Sequence, residues 1–83
     1  MQMIYNSSNY CVVEFRTVDD QKDVAGFEIM DKTQRREIYL DGLLAAHFHL
    51  TVQSLIKGQP DPDQVDAFLS QFTGMMHQPL ILH

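Results

Sequence analysis

Residues Arg36–Lys57, REIYLDGLLAAHFHLTVQSLIK, change their apolar period halfway along, and that change decides the fold. Up to Asp41, Ile38 and Leu40 alternate with Glu37 and Tyr39, which is the two-residue period of a strand. From Leu43 onward the period is helical. At about 100° per residue, Leu44, Phe48, Val52 and Leu55 fall within an arc of about 80°, with Ala45 and Ile56 beside it. Asp41-Gly42 forms the joint, and Gly58 suits a helix stop. The pattern predicts a strand over Arg36–Asp41 that runs directly into a helix over Leu43–Lys57, with Leu44, Phe48, Val52 and Leu55 as its core stripe.

That helix has an apolar surplus. Leu43, Ala46 and Leu50 lie away from the stripe, among His47, Gln53, Ser54 and Lys57. Leu43 and Leu50 are one heptad apart, with Ala46 or His47 between them, as in a short coiled-coil seam. Scattered exposed leucines mean little, but two in register beside a small residue point to a contact surface. Closed two-fold pairing is the commonest way to bury such a patch. The expectation is a homodimer through Leu43, Ala46, His47 and Leu50. Coverage of the patch by the sheet or the last strand of the same chain is the alternative.

Before this stretch the chain reads as strands. Met3–Tyr5 and Tyr10–Phe15 are aromatic and β-branched, and Asn6-Ser7-Ser8-Asn9 between them favours a turn. In the second strand Cys11, Val13 and Phe15 share one face, and their uniform apolarity assigns that face to the core. Residues 16–25 carry Asp19, Asp20, Lys22 and Asp23 without periodicity and read as an exposed loop. Gly26–Met30 then pairs with Arg36–Asp41 as a second hairpin through the polar connection 31–35.

After it comes a second helix with a clear start. Asp61 is a fitting N-cap, Pro62 takes the first helical position, and Gln64 gives a capping-box-like spacing. Asp61, Asp63 and Asp66 place negative charge at the positive end of the helix dipole. Val65, Phe68, Leu69, Phe72 and Met76 make one apolar face, so the helix is expected to reach about Met76. Pro79 introduces Leu80-Ile81-Leu82, a short apolar run suited to a last strand. The order β-β-β-β-α-α-β predicts an α+β fold, a small mostly antiparallel sheet with two helices packed on one face. The last strand fits either the interior of the sheet or its edge.

The length of 83 residues fits a single domain over residues 1–83. So small a domain buries only about 60% of its unfolded surface, which leaves a metal, self-association or simply a good core as its source of stability once a disulfide is ruled out. An intrachain disulfide is excluded, because Cys11 is the one cysteine. The net charge of −5 argues against non-specific binding to nucleic acid or anionic membrane. No stretch approaches the roughly 18 apolar residues of a membrane span, and the start lacks a signal-peptide pattern. A cytoplasmic compartment is expected.

The opening Met1–Ser7 with Asn9–Phe15, then Asp31-Lys32, Arg36-Glu37-Ile38, Gln78-Pro79 and Leu82-His83, resembles a family of small bacterial proteins of unknown function, mainly proteobacterial. The resemblance covers nearly the whole chain. It implies a free-standing cytosolic single-domain protein and transfers no catalytic residue.

The residues themselves assign no catalytic, cofactor or metal site. His47 and His49 are two apart on a helix and point about 200° apart, whereas helical metal pairs use i, i+4 spacing. His77 and His83 flank the last strand, and no C-x-x-C-like spacing exists. Cys11 shares its parity with Val13 and Phe15, which favours a buried thiol over a nucleophile. Asn6-Ser7-Ser8 matches a glycosylation sequon that has no chemical meaning in the cytosol. Lys32, Arg35 and Arg36 form a basic hairpin tip, and β-ribbons do enter DNA grooves. Without aromatic interleaving, and with Asp31 and Glu37 beside the tip, cross-strand ion pairs are the simpler account. The leading expectation is a non-catalytic, self-associating protein-binding or adaptor module. The alternative is a small regulatory factor touching nucleic acid through the Lys32–Arg36 tip.

Overall fold

The computed structural model describes residues 1–16, 24–76 and 78–79, the last two by backbone alone. Five strands, β1 (Gln2–Asn6), β2 (Tyr10–Arg16), β3 (Val24–Asp31), β4 (Arg36–Asp41) and β5 (Gln78–Pro79), form one sheet in the order β1-β2-β3-β4-β5. Each strand pairs antiparallel with its neighbour, so the sheet is a meander. Helix α1 (Gly42–Ile56) follows β4 without a loop, and α2 (Pro62–Leu69) continues into a 3-10 segment, Ser70–Met75. The fold is the expected α+β sheet with two helices. β5 takes the edge beside β4. The expected strand Leu80–Leu82, the loop positions 17–23, and His77 and His83 lie outside the described residues.

The helices cover the face bearing Tyr10, Val12, Phe27, Ile29 and Leu40, which pack with Phe48, Val52, Val65 and Leu69. This corrects the parity assigned to β2. Tyr10 and Val12 join the helix-side core, while Cys11 and Val13 are buried on the other face. The reason lies in register. Val12 stands opposite Ile29, and Phe27 opposite Leu40, so the largest apolar side chains of three neighbouring strands line up on one face. A strand apolar on both sides gives no clean alternation to read.

In β1 the register against β2 shifts between Met3 and Tyr5, and Ile4 is the extra residue. Such a bulge re-aims the side chains beyond it. Met3 stands opposite Val13, yet Tyr5 stands opposite Val12 and so reaches the helix side.

On α1 the buried residues are Ala45, Phe48 and Val52, with Leu55 and Ile56 half-buried against the core. Leu44 departs from its expected place, since it is 53% exposed. The stripe is rotated toward Ala45 and Ile56, because Phe48 fills the space beside α2. The Phe48 ring lies 5.5 Å from that of Phe72 and 5.6 Å from that of Phe68. Gly42 has φ +60°, a conformation that an L side chain resists and that lets β4 turn directly into α1. At the other end Lys57 is the C-cap and Gly58 follows at φ +77°.

α2 begins as its sequence predicts. Asp61 is the N-cap, its Oδ1 accepting from the Asp63 N–H at 3.0 Å, and Pro62 occupies the first position. Regular α-helix ends at Leu69, short of the expected Met76, and the remaining turns tighten to 3-10. The apolar face survives that change, because Val65, Leu69, Phe72 and Met76 are all buried.

Candidate functional site

α1 presents its surplus leucines to solvent. Leu43 is 89% exposed and Leu50 71%, and Ala46 and His47 beside them are exposed too. The whole of Gly42–Ile56 contains no Asp, Glu, Lys or Arg, in a chain of net charge −5. Surface helices normally carry their charges on this outer side. Depletion of charge is instead a mark of interface centres. This feature escaped the pattern of apolar spacing and was legible only as a missing residue class.

Two hollows flank the ridge. On one side a cleft of about 710 Å³ runs between α1 and the facing ends of β2 and β3, bordered by Arg16, Val24, Ala46, His49 and Leu50. The His49 ring stacks on Phe27 at 5.7 Å, and its Nδ1 is buried without a hydrogen-bond partner among the described residues. Arg16 Nε donates to the buried carboxylate of Glu14 at 2.8 Å. On the other side a groove of about 290 Å³ lies between α1 and α2, bordered by Leu44, His47, Thr51, Phe68 and Phe72. The four residues expected to mediate self-association therefore form one surface, with Ala46 and Leu50 on the cleft and His47 on the groove.

The basic tip is organised differently. Lys32 Nζ donates to Asn6 Oδ1 and, at 2.7 Å, to the Ser7 carbonyl, so it clamps the β1–β2 turn to the β3–β4 turn. Arg35, at φ +56°, and Arg36 are exposed. The turn itself is built on Asp31, which is 1% exposed. Its Oδ1 accepts from the Thr33 hydroxyl at 2.7 Å and from the N–H groups of Thr33 and Gln34, and its Oδ2 accepts from Thr73 Oγ1 at 3.2 Å. Burial works to raise the Asp31 pKa, but these hydrogen bonds outweigh it and hold the carboxyl below its usual range.

A second carboxylate does what sequence reading missed. Its place in the first turns of α2 suits Asp66 to the helix dipole. Its Oδ1 in fact accepts from Tyr5 Oη at 2.8 Å and Ser7 Oγ at 2.9 Å, and its Oδ2 accepts from Asn9 Nδ2 at 3.0 Å. The polar turn 6–9 is thereby docked on α2. Burial, and then the bond to Asp66, push the Tyr5 phenol above its ordinary value. The turn's polarity was the one signal, and it named no partner 57 to 61 residues away.

Cys11 is buried as expected. Burial raises its thiol pKa, opposed by the Lys32 charge. Among the described residues no group of three His, Cys, Asp or Glu side chains is placed to hold a metal ion. No helix there is long and apolar enough to cross a membrane.

These features define a small α+β domain, a meander sheet backed by two helices, which exposes Leu43 and Leu50 on the outer side of α1. Residues 1–83 match a family described as "Protein of unknown function (DUF3567)", and the chain belongs to it, a family of small bacterial proteins as the resemblance implied. A relative from Burkholderia thailandensis, "Protein BTH_I0359", is 53% identical over 85 residues, with all of both chains covered. No solved structure matches the chain.

Proposed function

We propose that the chain is a non-catalytic binding or adaptor module that self-associates through the outer face of α1, using Leu43, Ala46, His47 and Leu50. The carrying observation is the pair of projecting leucines on a helix without a single charged side chain. Exposing such a ridge to water is unfavourable, and burying it against protein recovers about 25 cal/mol per Å² of apolar area. Residues 1–83 act as one domain in the cytoplasm, where one unpaired, buried thiol is at home. Sedimentation at micromolar concentration tests this reading. A species heavier than the 9.6 kDa chain is expected, and Leu50→Asp shifts it toward monomer. A 9.6 kDa species alone at every concentration overturns it.

A second reading, a small regulatory factor contacting nucleic acid through the Lys32–Arg36 tip, draws on the exposure of Arg35 and Arg36. Lys32 is committed to the neighbouring turn, which weakens this reading. A salt-dependent gel shift that disappears in the Arg35→Glu/Arg36→Glu variant would favour it.

A further inference from the structure

Resting on the self-association reading, we propose that the occupant of the α1 face is a second copy of this chain, packed with its α1 antiparallel about a two-fold axis at Ala46 and His47. Four observations lead there. First, the surface is self-complementary under that operation. A two-fold contact sets residue i against j and j against i. Ala46 and His47 mark the midpoint of the Leu43–Leu50 ridge and lie roughly 50° to either side of it at the helical rotation per residue. Reversing the second helix brings Leu43 of each copy against Leu50 of the other. It also brings Ala46 against Ala46, where the smallest side chain lets the axes approach.

Second, α1 carries little compensation of its dipole inside the helix, Asp41 and Lys57 flanking it as the N-cap and C-cap. It has no acid in the first turn and no base in the last, and the side chain of Asp41 makes no capping bond. Antiparallel neighbours set positive ends toward negative ones, whereas parallel neighbours align like ends.

Third, charge favours the same arrangement. In a parallel pair the two Asp41 carboxylates would sit at one end of the contact. Antiparallel packing separates them by about 16 Å along the helices, beyond the screening length of roughly 8–10 Å.

Fourth, area calls for the flanks. A stable interface takes about 800 Å² per partner, roughly one seventh of the 5717 Å² of this chain. The ridge alone is too small, but the cleft lies on one side of it and the α1–α2 groove on the other. A helix seated on the ridge covers the mouths of both.

Cysteine cross-linking of the 83-residue chain tests the arrangement. Under mild oxidation Ala46→Cys is expected to shift from monomer to covalent dimer, since two such residues at the axis meet the Cα–Cα range of about 4.4–6.8 Å. Leu43→Cys and Leu50→Cys are each expected to stay monomeric when oxidised alone and to link when mixed. The unmodified chain, whose Cys11 is buried, is the control. Circular dichroism checks that each variant folds, and His47→Cys serves if Ala46→Cys does not. Self-linking of Leu43→Cys and of Leu50→Cys would establish a parallel pair and overturn the proposal. A dimer in sedimentation that cross-links at none of these sites overturns the arrangement alone. A chain that sediments only as monomer removes the self-association reading as well.

Discussion

Tyr5 Oη donates a 2.8 Å hydrogen bond to Asp66 Oδ1, joining the first strand to the second helix across 61 residues of sequence. The bond exists because the bulge at Ile4 carries Tyr5 to the helix side of the sheet. Ser7 and Asn9 donate to the same carboxylate, so one side chain ties the β1–β2 turn to α2.

Asp66→Ala is expected to destabilise the protein by about 1–3 kcal/mol, because it removes one acceptor shared by three donors. Tyr5→Phe removes one of those bonds and should cost about 1 kcal/mol. In urea unfolding the double variant should lose less than the sum of the two. Full additivity would show that the two side chains act independently.

Asp31 makes stability depend on acid. Its carboxyl titrates below the usual value of about 3.9 in the folded chain, so the unfolded chain binds the proton more readily. The stabilisation is therefore present above about pH 4 and is lost as pH falls through the folded value. Asp31→Asn should be less stable at neutral pH by about 1–3 kcal/mol. It should also lose part of the decline that the parent chain shows between roughly pH 5 and pH 2. Urea midpoints measured across that range decide it, and parallel declines would contradict the assignment.

Gly26 is held by close approach. A Cβ placed there would meet the Tyr39 hydroxyl and come within 2.5 Å of the Leu40 carbonyl oxygen. Tyr39 lies over this glycine while packing edge-on against Phe15, ring centres 5.8 Å apart. Gly26→Ala should lower stability by about 1–3 kcal/mol through overpacking. Adding Tyr39→Ala should recover only part of it, because the carbonyl cannot move aside. Thermal unfolding of both variants provides the comparison.

Cys11 should react slowly with iodoacetamide at neutral pH, since burial both shields the thiol and raises its pKa. Labelling should accelerate in urea in step with unfolding. Rapid modification of the native chain would place the thiol at the surface.

The strand-to-helix switch at Asp41-Gly42 and the start of α2 at Asp61-Pro62 were legible because local chemistry fixes both. A residue tolerant of positive φ and a capping carboxylate act within a few positions of themselves. The exposure of Leu43 and Leu50 was legible for the same reason, since helical rotation alone places them opposite Phe48 and Val52. The facing of β2 was not. Tyr10 and Val12 compete with Cys11 and Val13, and only the register with Ile29 on β3 decides between them. Leu44 was misplaced because the packing of Phe48 between Phe68 and Phe72 turns the helix, a matter of another element's side chains. Asp66 could be placed at a helix start but not given its partners, which come from the opposite end of the chain.

The meander order has a kinetic consequence. Strands β1 to β4 each pair with the next in sequence, so most of the sheet closes through short loops, the kind of topology that folds quickly. The Asp66 links to Tyr5, Ser7 and Asn9 span 57 to 61 residues and can close only after both ends are in place. They should therefore form after the rate-limiting barrier. Weakening them should speed unfolding and leave the folding rate nearly untouched, making Asp66 a setting for how long the native chain lasts rather than how fast it arrives.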